Sequence, residues 1–207
     1  MLHNILFWIK KINIIKTIYY SLRYGGKVIC GKCSVTIRGG GRILIKNHSR
    51  LLIGVNYSYP VPTVIDLYDG VLEIKGNVSI NRGCKIRVSK GATLCICDGT
   101  FLNEGAKVYC EESISIGANC AIAFDTKILD TDIHKIYRGQ NHTNPNESIE
   151  IGNNVWIGTG TLVLKGTKIE SNTVIGANSI VKGHCKSNHI YAGAPIKDIS
   201  VFDNWKV

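Results

Sequence analysis

The chain has 207 residues, with 22 glycines against 4 prolines; that length suits one substantial domain or two small ones, and that balance suits a fold with many tight corners. Its net charge of +10 is unevenly placed, since residues 1–50 hold ten Lys or Arg and no Asp or Glu while the remainder is balanced. Such an excess asks for an anionic neighbour (a membrane surface, an acidic glycan or a phosphorylated ligand), and with no nucleic-acid motif beside it, no nucleic-acid partner is expected.

The longest apolar run near the start, Ile5 to Ile9, is too short to span a bilayer, and Lys10 and Lys11 follow it at once instead of a secretory cleavage pattern. The expectation is a cytoplasmic protein whose eight cysteines are thiols. Cys30-x-x-Cys33 has no second such pair to complete a zinc site, and no metal is expected.

Residues 1–24 read as an amphipathic helix within a segment ending near residue 27. Ile5, Trp8, Ile12, Ile15, Tyr19 and Leu22 recur at steps of three and four and so share one face. Two roles fit that face and do not exclude each other. It can cap the open edge of the domain that follows, or lie peripherally on an anionic membrane at the inner surface.

A β pattern begins at Arg42 and belongs to a domain spanning residues 28–185. Ile74, Ile80 and Ile86 recur every sixth residue, as do Ile96, Leu102, Val108 and Ile114, and then Ile116, Ile122 and Ile128. The longest series is Ile151, Ile157, Val163, Ile169, Ile175 and Val181. A period of six fits neither a helix nor a meander. It fits a chain wound into flat-sided coils, each short strand turning one aliphatic side chain inward before a corner. Three strands make a coil of about 18 residues, giving about seven coils, with the shifts between series read as small insertions at corners. Residues 129–148 break the rhythm with a polar, aperiodic stretch that must project sideways as a loop. Residues 186–207 leave the repeat through Tyr191-Ala-Gly-Ala-Pro195 and close the far end.

Ile151-Gly-Asn-Asn-Val-Trp-Ile-Gly158, Lys165-Gly-Thr-Lys-Ile169, Val174-Ile-Gly-Ala-Asn-Ser-Ile-Val181 and Asp130-Thr-Asp-Ile-His134 together resemble the hexapeptide-repeat acyltransferases. The likeness is strongest to the sugar O-acetyltransferases of bacterial polysaccharide assembly and covers about residues 70–200. It implies an all-β, left-handed parallel β-helix that forms homotrimers and binds acetyl-CoA between neighbouring subunits. The left hand comes from the resemblance alone, because parallel β crossovers are otherwise right-handed. Position by position, the resemblance makes His134 the catalytic histidine and Asn103 the contact to the acceptor hydroxyl. It places Trp156 in the cofactor cleft and the backbones of Thr159 and Ala177 against the CoA arm. His134 sits one residue further from its Ile-Gly pair than in the galactoside enzymes. The family's Thr-Lys after the last repeat reads Lys182-Gly183 here, which leaves Lys182 or Lys197 to meet a phosphate.

Transfer from a thioester to a sugar hydroxyl needs a proton removed and the reactants placed. A histidine, ordinarily titrating at about 6.5, suits that task. Asp130 or Asp132 is a candidate to orient its ring, and either is equally readable as a plain loop carboxylate. The runner-up activity is N-acetylation of a nucleotide-linked amino sugar. Weaker readings are a non-catalytic coil scaffold and a γ-class carbonic anhydrase, whose metal spacing His184-x4-His189 partly imitates.

Overall fold

The computed structural model describes residues 11–32, 34–55 and 61–206. Its strands wind into a three-sided prism whose faces, among the described residues, are sheets of nine, seven and seven strands. The first face runs from Lys27–Cys30 through Phe101–Leu102 and Trp156–Ile157 to His189–Ala192. The second runs from Val35–Arg38 to Ile180–Val181, and the third from Arg42–Ile45 to His184–Cys185. Successive strands in sequence belong to successive faces, so the chain circles the axis once for every three strands.

The six-residue series is the projection of this winding. On the first face Ile80, Leu102, Ile122, Ile157 and Ile175 stack in register. Ile86, Val108, Ile128, Val163 and Val181 do so on the second face. Ile74, Ile96, Ile116, Ile151 and Ile169 do so on the third. All are essentially buried, each contributing about 1.5–3 kcal/mol relative to exposure. No coil could bury its inner face alone, so stacking itself makes the core. Among the thiols, burial pushes Cys84 up to about 12 and Cys120 and Cys185 up to about 11, which keeps them protonated packing groups.

Two expectations need correction. Ile114 and Ile116 are not separated by a corner insertion: both point inward from the same strand, pairing with Leu94 and Ile96. The earlier coils are simply wider. Phe101 meets Ala121 one coil on, whereas Trp156 meets Val174. Coiling also begins before Arg42, since Lys27–Cys30 and Val35–Arg38 already pair with Arg50–Ile53 and Thr63–Leu67.

The N-terminal helix differs more. The described helix, α1, spans Ile14–Tyr24. Asn13 caps it in an extended conformation, its side chain accepting from Lys16 N, and Gly25 ends it at φ 61°. Ile12 bridges Gly31 as extended chain, so a continuous helix through residues 1–24 is excluded there; Ile5 and Trp8 lie outside the described residues. The helix does cap the prism, but with its polar side. Thr17 Oγ1 accepts from Cys30 N at 3.0 Å, Tyr20 Oη accepts from Ile37 N at 3.0 Å, and Lys16 Nζ donates to Val35 O at 2.6 Å. Ser21 Oγ donates to Val28 O at 3.0 Å and accepts from Val28 N at 3.1 Å. An edge strand presents a row of unpaired backbone groups, and hydroxyls satisfy them where isoleucines could not.

At the other end His189–Ala192 opens an eighth turn on the first face, and Lys197–Val201 folds back antiparallel upon it. Among the described residues no helix is long and apolar enough to cross a membrane.

Candidate active site

The projecting loop leaves the prism at the corner between the second and third faces, after Lys127–Leu129, and returns at Ile149–Ile151. Its tip is a small antiparallel hairpin pairing Tyr137–Arg138 with Asn141–His142. The base is stitched across: Asp132 N donates to Pro145 O at 2.8 Å, Glu147 N donates to Asp130 O at 2.9 Å, and Thr131 Oγ1 donates to Asn146 Oδ1 at 2.7 Å. His134 stands exposed just beyond this base. Ile133, immediately before it, adopts φ 65°, the left-handed region where a β-branched residue costs about 1–2 kcal/mol. Thr131 Oγ1 accepts from Ile133 N at 2.8 Å, and His134 N donates to Asp132 O at 2.7 Å. Together these contacts hold the backbone in the turn that presents the imidazole.

Neither aspartate considered as an orienting group turns its carboxylate to that ring. Asp130 is fully buried and accepts from Glu111 N at 2.7 Å and Glu112 N at 2.9 Å. Burial raises it above the usual carboxylate value, with those backbone bonds opposing the rise. It is the corner pin of the coil beneath. Asp132 Oδ2 instead lies 2.8 Å from Lys165 Nζ. Lys165, on the next coil's corner, is only 4% exposed and also donates to Asn144 O at 2.6 Å, with Glu147 Oε1 at 3.6 Å. Asp132 raises the lysine above its ordinary value, so this ammonium is a permanent charge clasping both legs of the loop. In the sequence Lys165 looks like one more corner lysine. Only its near-total burial marks it.

The other expected residues lie along a different corner, between the first and second faces. Asn103 follows Phe101–Leu102 there, its Oδ1 accepting from Asn81 Nδ2 at 2.9 Å. Thr159 and Ala177 occupy the same corner on later coils, joined where Asn178 N donates to Thr159 O at 2.8 Å. Gly158 permits this close approach, because a Cβ there would lie 2.6 Å from Ala177 N. Trp156, on the first face beside this corner, is 44% exposed.

Its neighbour is Trp205 of the C-terminal segment, ring centroids 5.9 Å apart at 43°. Trp205 Nε1 donates to Asn154 O at 2.8 Å. With Phe101, Asn119 and Lys206, Trp205 lines a shallow cleft of about 480 Å³. Sequence reasoning treated this segment as closure only, and an aromatic beyond the repeat is the signal that pointed further. Lys182 lies on the loop's corner, away from Trp156, whereas Lys197 lies on the terminal antiparallel strand at the end of the same sheet that carries Trp156. His184 Nε2 sits 2.8 Å from Glu170 Oε1. Among the described residues no group of three or more His, Cys, Asp or Glu could hold a metal ion.

A three-sided parallel coil with a loop on one edge and a glycine-lined ridge on the next defines a class. The fold is that of a left-handed parallel β-helix, and the chain is similar to the bacterial hexapeptide-repeat transferases. Residues 148–183 match the family model for the bacterial transferase hexapeptide (six repeats). A putative lipopolysaccharide biosynthesis O-acetyl transferase of Escherichia coli (strain K12) is 27% identical over 146 residues, covering 66% of this chain and 74% of that one. The polysialic acid O-acetyltransferase of Neisseria meningitidis is 30% identical over 126 residues, covering 56% and 59%. The crystal structure of the polysialic acid O-acetyltransferase OatWY superposes with a TM-score of 0.67 at 26% identity, covering 84% of this chain and 91% of that one.

Proposed function

We propose that this protein moves an acetyl group from acetyl-CoA to a sugar hydroxyl of a surface polysaccharide, at a site shared between copies of the chain. One observation carries the reading. His134 stands on the corner between the second and third faces, while Asn103, Trp156, Thr159 and Ala177 gather at the corner between the first and second. A whole face separates the two sets within one chain, so the site closes only when a neighbour's ridge meets the loop. A ring of three copies, the state the family resemblance implies, makes that meeting repeat at each boundary.

In the proposed step His134 takes the proton of the acceptor hydroxyl as its oxygen attacks the acetyl carbonyl carbon. The carbon–sulfur bond then breaks, and the imidazolium returns the proton to the CoA thiolate, leaving an acetyl ester and free CoA. A backbone N–H facing the developing oxyanion would contribute about 3–4 kcal/mol. Asn103 holds the acceptor. Trp156, with the Thr159 and Ala177 backbones, holds the donor. Consumption of acetyl-CoA is consistent with a cytoplasmic enzyme.

The test is acetyl transfer to oligosaccharide acceptors, with His134→Ala beside the wild type. Turnover should fall by about 10²–10⁴-fold, with assembly and CoA binding unchanged, because His134 is an exposed loop residue. Near-wild-type turnover would remove the base assignment. Acetylation of an amino-sugar nitrogen alone would replace the O-transfer reading with N-transfer.

A further inference from the structure

Because α1 spends its hydroxyl side on the prism, its apolar side faces outward. Ile15 is 82% exposed, Leu22 79%, Ile18 55%, Ile14 53% and Tyr19 52%. These positions fall at steps of three and four and form one stripe along the helix. A stripe of large apolar side chains on a helix already docked by its other side is a surface that something covers. The charge around it says what. Lys27, Lys32, Arg42, Lys46 and Arg50 are exposed on the first coils beside α1, and the first acidic residue anywhere in the chain is Asp66. A second copy meeting this end would bring like charges together, whereas an anionic bilayer answers both the stripe and the lysines.

We propose that α1 docks this end of the prism onto an anionic phospholipid surface, with the stripe from Ile14 to Leu22 in the headgroup boundary and the prism axis directed away from the membrane. At 11 residues the helix is roughly 16 Å long, about half the ~30 Å hydrocarbon thickness, so it lies in the interface and does not cross. The candidate active-site edges run along the prism sides, leaving them open to an acceptor held near the same surface. The docking stands independently of the proposed catalysis, and its test uses no activity.

Wild type and Ile15→Glu/Leu22→Glu are floated with vesicles of pure phosphatidylcholine and with vesicles containing phosphatidylglycerol. Both substituted side chains are solvent-facing, so thermal midpoint and oligomeric state should match the wild type. The wild type should partition at least about tenfold more strongly into the anionic vesicles, with binding falling as salt rises above about 0.1 M. The double variant should lose at least about tenfold. Lys27→Ser and Lys32→Ser should each lose about fivefold on anionic vesicles only, which keeps the test open if the glutamate variant misfolds. Equal partitioning of wild type and variants would overturn the proposal. So would light scattering that shows wild type pairing through this helix into larger assemblies while ignoring vesicles.

Discussion

Replacing Lys165 by methionine keeps the aliphatic stem and deletes the charge that clasps the catalytic-loop candidate. The ammonium is held by Asp132 Oδ2 at 2.8 Å and Asn144 O at 2.6 Å, one contact on each leg of the loop. Charge-assisted bonds contribute about 1.5–3 kcal/mol each, so the pair amounts to roughly 3–6 kcal/mol before solvent is counted. The Asp132 and Glu147 side chains are 44% and 48% exposed and rehydrate when the lysine is gone, which reduces the local loss to about 2–3 kcal/mol. At about 1.4 kcal/mol per factor of ten, loop opening then becomes about 30- to 150-fold more frequent. Hydrogen exchange across residues 131–147 should accelerate by that factor, while the aliphatic stacks exchange as before. Displacing His134 by about an ångström should lower kcat about 10²-fold and leave the donor KM unchanged, and Lys165→Arg should restore part of it. Loop exchange within about threefold of wild type (a local change under ~0.7 kcal/mol) would refute the clasp.

Two further outcomes test the scaffold. Leu102→Ala removes a fully buried side chain stacked between Ile80 and Ile122; it should cost about 2–5 kcal/mol in denaturant unfolding, and a loss below about 1 kcal/mol would contradict the stacked core. Glu170 accepts from Ser187 N at 3.0 Å and meets His184 Nε2 at 2.8 Å, and these contacts, Ser187 first, hold its carboxyl below the ordinary 4.5. A depressed carboxylate stabilises the fold above its unfolded value and loses that contribution as pH falls through the folded one. Exchange around residues 184–188, corrected for intrinsic chemistry, should therefore rise as pH drops below about 4.5, the ordinary glutamate value. In Glu170→Gln that acid response should vanish, and an identical acid response in the variant would show that Glu170 does not carry it.

The periodicity from Ile74 to Val181 determined the coil, because in a stacked fold each inward residue meets its own kind one turn away and needs no distant partner to be recognised. The loop was legible for the complementary reason: residues 129–148 offer no aliphatic side chain at the sixth position. The hexapeptide motifs brought His134, Asn103 and Trp156 forward as candidates in the same way, each lying within or beside a readable repeat. Spacing is silent about what a charged or aromatic side chain touches across coils. Lys165, Asp130 and Asp132 sit at unremarkable positions, and only the winding puts Lys165 under the loop and Asp130 against Glu111 and Glu112. Trp205 reaches Trp156 only because the tail folds back beyond the last repeat. The helix makes the point most sharply. Its 3.6-residue pattern determined that one side of residues 14–24 is apolar, and an apolar side is ordinarily the buried one. The prism's end offers unpaired backbone N–H and C=O groups beside its apolar core, so the helix side that carries hydroxyls together with the Tyr20 and Tyr24 rings turned inward and left the isoleucines outside. That decision belongs to the tertiary structure, since it depends on the edge the helix meets and not on the helix.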